Sequence, residues 1–269
     1  MNKKIAFVGA GSIAEAIVSG IINAKVVPAS NLFVTNRENT QRLEELSARY
    51  QVNALSDREE VISNADIVVL AMKPYDLEQS LSAIKGYLKE DQFIISILAG
   101  VSTERITELA GINIPVVRVM PNTSAFIGFS ATALSKGKFA KEEHLLQAEQ
   151  LFQTVGTTVL VPEKDMHTIT AISGSGPAYI YYIVEAMEKA AIEAGLDSNI
   201  AKELITQTVI GAGNMLKLSG EEPDILRKKI TSPKGTTEAG IEILEKHHVQ
   251  RIMMECVKSA KERSEELGK

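Results

Sequence analysis

Short apolar runs alternate with amphipathic segments through the first half of the chain. The runs predict strands at Lys4–Ala10, Asn31–Asn36, Ala65–Met72, Gln92–Leu98 and Ile114–Met120, with two more in SATALS and in TTVLV, which ends at Val161. Segments such as AEAIVSGIINA and NTQRLEELSARY between them have the apolar spacing of helices. Apolar strands without polar alternation, separated by helices, indicate a doubly wound α/β fold with a parallel sheet covered on both faces.

After Pro162 the pattern changes and is helical throughout. The segment that opens at Pro177 and closes at Gly195 has proline just inside a helix start and glycine after its end. An apolar helical stripe follows between residues 198 and 218. We therefore predict two domains, an α/β domain over residues 1–163 and an all-helical domain over residues 164–269.

Composition and charge exclude several classes of function. The chain has 269 residues, 45% of them hydrophobic, and a formal net charge of -5, which is unlike the basic excess of nucleic-acid-binding proteins. The single cysteine, Cys256, excludes a disulfide framework and a thiolate zinc cluster, and the four histidines have no ligand spacing, so no metal site is expected. The N-terminus lacks the apolar core of a secretory signal, and no run approaches the ~20 residues of a membrane span. We expect a soluble cytoplasmic protein.

A glycine turn follows the first predicted strand. Gly9, Gly11 and Ala14 form the G-x-G-x-x-A variant of the dinucleotide fingerprint, placed between a strand and a helix. Gly9 allows the tight turn, Gly11 lets the backbone approach a pyrophosphate, and Ala14 permits close helix packing. The helix N-terminus faces the phosphates. This context predicts a nicotinamide dinucleotide cofactor.

The end of the second strand bears on the choice between NADH and NADPH. An NAD site usually has an acidic residue there, whereas a nearby arginine suits a 2′-phosphate. Asn36 and Arg37 occupy this place, which favours NADPH, with NADH as the alternative cofactor. Glu38 supports the alternative that Arg37 only forms a surface ion pair.

Further candidate residues follow other strands. Lys73, in the segment AMKP, follows the strand at Ala65–Met72, at the sheet edge that lines the ligand crevice of such folds. It either contacts cofactor phosphate or ribose, or it is a solvated loop lysine. Three turns rich in glycine and hydroxyl groups follow, in RVMPNTS, ISGSGPAY and TSPKGTT. Each of these turns is either a helix cap or part of a ligand site.

Taken together, GAGSIAEAI, MKP, MPNT, SGSGPAY and SPKGTT resemble, in this order and spacing, the Δ1-pyrroline-5-carboxylate reductases. The resemblance covers nearly the whole chain. It implies an oxidoreductase that reduces a cyclic imine to L-proline with NAD(P)H, the last step of proline biosynthesis. It also implies a Rossmann-type N-terminal domain and a helical domain that forms a homodimer, with association of dimers as an extension.

The resemblance assigns residues to each role. It places substrate at Ser232, Thr236 and Thr237, with the Thr237 hydroxyl near the ring nitrogen as the catalytic contact. Glu163 is placed near the product amine, with a solvated hinge carboxylate as the alternative. The cofactor residues that it implies are Gly9, Ala10, Gly11, Ser12, Ile13, Asn36, Arg37, Ala71, Met72, Lys73, Pro74 and Ala99.

Two residues depart from the family pattern. Ser124 stands where the family has proline, and Lys234 stands where it has glycine. We expect Lys234 to forfeit the positive φ that glycine tolerates, and to add a cation beside the substrate carboxylate or to point into solvent. Two other functions stay open: another reductase with a Rossmann and a helical domain, such as a β-hydroxyacid dehydrogenase or imine reductase, and a non-catalytic NADP-binding sensor.

Overall fold

The computed structural model describes residues 1–268. Its strands are β1 (Ile5–Val8), β2 (Leu32–Thr35), β3 (Asn53–Ala54), β4 (Ile67–Leu70), β5 (Phe93–Ser96), β6 (Val116–Met120), β7 (Ser130–Lys136) and β8 (Gly156–Leu160). Its α-helices are α1 (Ser12–Asn23), α2 (Thr40–Tyr50), α3 (Arg58–Ser63), α4 (Leu77–Ile84), α5 (Thr103–Ala110), α6 (Glu142–Phe152), α7 (Met166–Ile169), α8 (Gly176–Glu193), α9 (Ser198–Leu218), α10 (Pro223–Ile230), α11 (Thr236–Lys246) and α12 (Val249–Glu266). All seven predicted strands are confirmed. Five of them are shorter than predicted at one or both ends, whereas the ends of β7 and β8 lie within one residue of the prediction.

The eight strands form one sheet in the order β3-β2-β1-β4-β5-β6-β7-β8. The order reverses at β1, as in doubly wound folds, so the predicted fold class is confirmed. The expectation of an entirely parallel sheet is wrong at one pair, because β7 runs antiparallel to β6. The short connection through residues 121–129 allows this reversal, since a parallel neighbour needs a longer crossover.

Helices cover both faces of this sheet because its strands are apolar on both sides. One core cluster joins the strands to α1, α2 and α6, and a second joins them to α3, α4 and α5. Buried aliphatic side chains such as Ile5 and Val68 form the two clusters. The carboxyl ends of the parallel strands therefore share one edge, where the loops after β1, β2, β4 and β5 lie.

The chain forms two compact units. One comprises Met1–Pro177 together with the chain from Lys258 onward, and the other comprises Ala178–Val257. The boundary predicted at residues 163 and 164 stays a prediction based on sequence character. Among the described residues, no helix combines the length and the apolarity needed to cross a bilayer.

Candidate active site

The glycine turn after β1 has the geometry that a dinucleotide requires. Gly9 has a φ of +118°, and a Cβ there would lie 2.6 Å from the carbonyl carbon and oxygen of Ala71. At Gly11, by contrast, a Cβ would meet nothing within 4 Å. Position 9 therefore requires glycine because the turn packs against the residues that follow β4, whereas the absence of a side chain at Gly11 leaves open space beside the backbone.

The start of α1 offers free hydrogen-bond donors next to this space. Gly11 is the N-cap and provides no side-chain cap, and the first intrahelical bond runs from the Glu15 N–H to the Gly11 carbonyl at 3.0 Å. The backbone N–H groups of Ser12, Ile13 and Ala14 thus lack an intrahelical acceptor. An uncapped helix start beside open space fits a pyrophosphate group.

The loop after β2 is held in a fixed shape by Asn36. Its side-chain amide donates to the Asn39 carbonyl at 2.7 Å, and its Oδ1 accepts from the Asn39 N–H at 3.0 Å. Arg37 is exposed and donates to Oε1 of Gln79 at 2.9 Å, with Asp76 and Glu38 at 3.5 and 3.2 Å. The ion pair with Glu38 that the sequence suggested does form, but the guanidinium also reaches the segment after β4.

The segments after β4 and β5 lie at the same sheet edge. Lys73 is exposed and begins the 3-10 turn Pro74–Asp76. Ala71 and Met72 are partly buried against the two core clusters, and Ala99 packs against the small cluster around Met120. The structure thus brings the predicted cofactor residues to one edge of the sheet.

The end of α12 also belongs to this unit, which the sequence pattern did not predict. The Ser264 hydroxyl lies 3.0 Å from Nδ1 of His167. A Cβ at Gly100, next to the predicted cofactor residue Ala99, would lie 2.5 Å from the Ser264 carbonyl oxygen and 2.8 Å from Cβ of Leu267. Only a glycine at position 100 allows this approach, so the last turns of the chain support the exit of β5.

Glu163 is tied into the same unit. Its carboxylate accepts from the Thr103 N–H and hydroxyl, and it lies 3.5 Å from Nη1 of Arg118. Arg118 is only 1% exposed, and its Nε and Nη2 have no hydrogen-bond partner among the described residues. Burial lowers the pKa of Arg118 from its ordinary value, and the charge of Glu163 opposes that shift. Glu163 is therefore held by protein partners, unlike the solvated hinge carboxylate of the alternative interpretation, and its assignment to substrate stays a prediction.

Two of the hydroxyl-rich turns meet. The Asn122 side-chain amide donates to the Ser173 carbonyl at 3.0 Å, which joins MPNT to SGSG. Ser124 donates its backbone N–H to Oδ1 of Asn122, a bond that proline would lack. The second turn is a π-helix, Thr170–Gly174, a rare form that is frequent at functional sites.

The third turn lies at the start of α11, in the other unit. Gly235 is the N-cap, with no side-chain cap, and a Cβ there would lie 2.7 Å from the Ser232 hydroxyl oxygen. The side chains of Ser232, Thr236 and Thr237 make no hydrogen bond to any described residue. The interpretation of these hydroxyls as helix caps therefore finds no support in the contacts.

Lys234 differs from the expectation. Its φ is 61°, so it keeps the left-handed conformation that was expected to be lost with glycine. Its backbone N–H donates to the Glu238 carboxylate at 2.6 Å, which holds the residue in that conformation. The backbone of this turn is therefore the one that glycine would favour, with a lysine side chain added.

Sequence reasoning missed two residues beside the glycine turn, Glu15 and Arg42. Glu15 is buried within α1, and its carboxylate pairs with Arg42. A signal was present, because an acid on the apolar face of a predicted helix needs a partner. Arg118 is the one charged residue in the strand IPVVRVM, so the sequence indicated in the same way that it needs a partner. Over residues 1–268, no three His, Cys, Asp or Glu side chains form a group that could hold a metal ion.

The glycine turn, the uncapped helix start and the strand order define a Rossmann-type NAD(P)-binding domain. A family model described as NADP oxidoreductase, coenzyme F420-dependent, matches residues 4–100, and one described as pyrroline-5-carboxylate reductase dimerisation matches residues 163–267. Pyrroline-5-carboxylate reductase 2 of Bacillus subtilis is 45% identical over 265 residues, which are 98% of this chain and 95% of that protein. The chain belongs to the pyrroline-5-carboxylate reductase family.

Solved structures of the family have the same fold. The enzyme of Coxiella burnetii superposes with a TM-score of 0.90 at 34% identity, covering 100% of both chains. The Plasmodium falciparum enzyme, solved with NADP bound, also gives a TM-score of 0.90, at 32% identity over 100% of this chain and 99% of that one. The predicted family and fold are confirmed.

Proposed function

We propose that this protein reduces Δ1-pyrroline-5-carboxylate to L-proline with NADPH, the last step of proline biosynthesis. The observation that carries this proposal is the start of α11, where three hydroxyl groups surround a helix N-terminus and none of them is used as a cap. Such an arrangement offers an anion several donors that have no competing partner. A small carboxylate substrate fits it.

The substrate carboxylate docks on the backbone of α11. The first intrahelical bond runs from the Ala239 N–H to the Gly235 carbonyl at 3.2 Å, so the N–H groups of residues 236 to 238 have no intrahelical acceptor. The Ser232 hydroxyl adds a side-chain donor. The lack of a Cβ at Gly235 keeps this hydroxyl close to the helix start.

For this reaction the protein mainly has to orient the substrate relative to the cofactor. NADPH supplies a hydride to C5 of the ring when it is bound at the glycine turn. The protonated imine is already electrophilic, and its C=N double bond becomes a single bond as the nitrogen keeps its proton and gains the electron pair. The Thr237 hydroxyl orients the ring nitrogen, and Thr236 contributes a further substrate contact. The absence of a histidine or aspartate from the proposed residue set agrees with this chemistry.

NADPH is the preferred cofactor in this proposal. Arg37 offers a guanidinium at the end of β2, where an NAD site usually has an acid. Its partners Asp76 and Glu38 are acceptors in the free protein, so a 2′-phosphate competes with them for the same donors. The preference over NADH is therefore moderate, and NADH remains a substrate.

The helical unit functions as part of a homodimer. Of the apolar residues between Ala178 and Val257, only Ala201 and Ile205 are buried in the single chain. Tyr182, Leu204 and Met254 are each more than half exposed. A helical unit without a core of its own needs a second copy to cover it. Sedimentation tests this dimer, and the same experiment tests the finer proposal that dimers associate further.

One assay tests the reaction. We expect NADPH oxidation with pyrroline-5-carboxylate and none above background with β-hydroxyacids or with imines that lack the carboxylate. Oxidation with a carboxylate-free imine at an equal rate would show that α11 does not select the substrate. No turnover with any imine, combined with tight NADPH binding, would favour the sensor.

A further inference from the structure

Glu15 places a negative charge close to the proposed pyrophosphate site. It lies in the first turn of α1, one residue after the three free N–H groups, and it is only 7% exposed. A carboxylate at a helix start is favoured by the helix dipole. Here, however, it competes with the cofactor phosphates for the same positive potential, so its charge has to be neutralised for the cofactor to bind well.

Two arginines neutralise this charge, and a tyrosine hydroxyl donates a hydrogen bond to it. Arg42 forms an ion pair with Glu15, the Arg49 guanidinium lies 3.0 Å from the carboxylate, and the Tyr50 hydroxyl donates at 2.9 Å. Burial by itself raises the pKa of Glu15, but the bonds from Arg42 and Tyr50 and the arginine charges hold it below its ordinary value. Glu15 is therefore ionised at neutral pH, and Arg42 is its least exposed cationic partner.

Arg42 also fastens the glycine turn itself. Its Nε donates to the Ala10 carbonyl at 3.0 Å, between the two glycines of the turn. The same residue is fixed from the other side, since its backbone N–H donates to Oδ1 of Asn39 at 2.9 Å. Asn39 is in turn held by Asn36. Hydrogen bonds therefore run without a break from the loop after β2 to the glycine turn after β1.

All three guanidinium nitrogens of Arg42 have protein partners, because Nη1 contacts Glu45 in addition to the contacts with Ala10 and Glu15. Arg42 acts through these residues and not on the cofactor directly. We propose that Arg42 is a positioning residue for the dinucleotide, which cancels the charge of Glu15 beside the pyrophosphate and fixes the glycine turn relative to the Asn36 loop. This inference rests on the proposed binding of NADPH at the glycine turn.

The test is a set of charge variants of the full-length protein. NADPH dissociation constants are measured by cofactor fluorescence for wild type, Arg42→Gln, Glu15→Gln and the double variant. We expect Arg42→Gln to weaken NADPH binding at least tenfold. The double variant should recover most of that loss, because it also removes the Glu15 charge, which Arg42→Gln leaves with only the exposed Arg49 as a cationic partner. NADH binding falls by the same factor, since both cofactors carry the pyrophosphate. With saturating NADPH, kcat and the KM for pyrroline-5-carboxylate stay near wild type.

Two further variants complete the design. Arg42→Lys keeps the charge but loses the planar group that reaches Glu15 and Ala10 together, so we expect an intermediate loss; it also serves if Arg42→Gln does not fold. Arg105→Gln removes a partly exposed arginine of α5 that pairs with Glu78 of α4, and we expect this variant to bind NADPH like wild type.

The outcomes are distinct. Equal NADPH affinity of wild type and Arg42→Gln overturns the proposal, as does a double variant that binds no better than Arg42→Gln. A wild-type protein that binds neither NADPH nor NADH overturns the proposed function together with this inference. Wild-type binding with unchanged variants overturns the role of Arg42 alone.

Discussion

The Glu163 carboxylate accepts two hydrogen bonds from Thr103, at 2.7 Å from its backbone N–H and at 2.6 Å from its hydroxyl. This pairing fixes the segment after β8 to the first turn of α5. The same carboxylate is the only described acidic partner of the buried Arg118.

We therefore expect Glu163→Ala to destabilise the protein. Removing one partner of a buried ion pair costs about 3 kcal/mol at the low end, which corresponds to roughly 6–12 °C in Tm for a chain of this size. Glu104→Ala, an exposed acid in the same helix turn as Thr103, is the matched control and should change Tm little. A substrate role for Glu163 predicts a different result, namely a higher KM for pyrroline-5-carboxylate at an unchanged Tm.

We propose that Arg37 determines the preference for NADPH over NADH. We expect Arg37→Ala to raise the KM for NADPH about tenfold, by loss of a charge-assisted hydrogen bond to the 2′-phosphate. The KM for NADH should change little. Arg251→Ala, which removes an exposed helical arginine from the other unit, controls for net charge. Equal effects of Arg37→Ala on both cofactors would show that Arg37 does not contact the 2′-phosphate.

Lys234 stores backbone strain in the loop before α11. Its left-handed backbone is unfavourable for a residue with a Cβ, so Lys234→Gly should stabilise the protein by on the order of 0.5–1 kcal/mol. The backbone bond to Glu238 is retained. Gln51→Gly, at a φ of 56° after α2, is the matched control for strain alone.

Both glycine variants should raise Tm, and only Lys234→Gly should change the KM for pyrroline-5-carboxylate. We expect a rise of less than threefold, because an exposed ammonium group is screened by solvent. A lower Tm for Lys234→Gly would show that the lysine side chain stabilises the loop.

His167 makes the stability of the cofactor unit depend on pH. Burial, and then the charge of Arg118, lower the pKa of His167 below its ordinary value, while Glu265 opposes and Lys261 adds to the shift. The unfolded chain therefore binds a proton at a higher pH than the folded one. This contribution to stability is complete above about pH 6.5 and is lost as the pH falls through the folded-state pKa.

The measurement is the unfolding free energy in urea between pH 8 and pH 5. Wild type should lose more stability over this range than His167→Gln, which cannot titrate but can still bond to Ser264. His247→Gln, at the exposed end of α11, should follow wild type. Parallel curves for wild type and His167→Gln would contradict the assignment.

Local pattern predicted much of the fold. Continuous apolar runs marked the strands of the buried sheet, and proline and glycine marked the ends of α8. The pattern did not reveal β3, whose two residues have no periodicity, or the reversal of β7, because strand direction depends on which edge a connection reaches. The docking of Ser264 beside Gly100 was also invisible, since it joins residues more than 150 positions apart.

The residues of the candidate site also fall into those that the local sequence predicted and those that depend on contacts distant in sequence. The glycines, Arg37 and the hydroxyls of TSPKGTT were found because backbone conformation and anion binding restrict residue type locally. The contact from Arg42 to Ala10 was missed because a single side chain joins α2 to the glycine turn, 32 positions earlier in the chain. Only Glu15, an acid on an apolar helix face, pointed towards it.

In the proposed reaction, Thr237 orients the ring nitrogen of the substrate. Thr237→Val keeps the side-chain shape and the backbone donors of α11 but removes the hydroxyl. The lost contact matters most in the transition state, so kcat should fall roughly ten- to a hundredfold, for a loss of about 1–3 kcal/mol. NADPH affinity should hardly change. Ser232→Ala should act mainly on the KM for pyrroline-5-carboxylate, through weaker carboxylate binding.

The most direct measurement is kcat and Tm of Thr237→Val on one preparation of the folded enzyme, with pyrroline-5-carboxylate and saturating NADPH. We expect the loss in kcat together with a Tm within about 1 °C of wild type, because the hydroxyl makes no bond to any described residue. A variant with lower Tm and undiminished kcat would contradict it, and the threonine would then be a structural residue of the helix start.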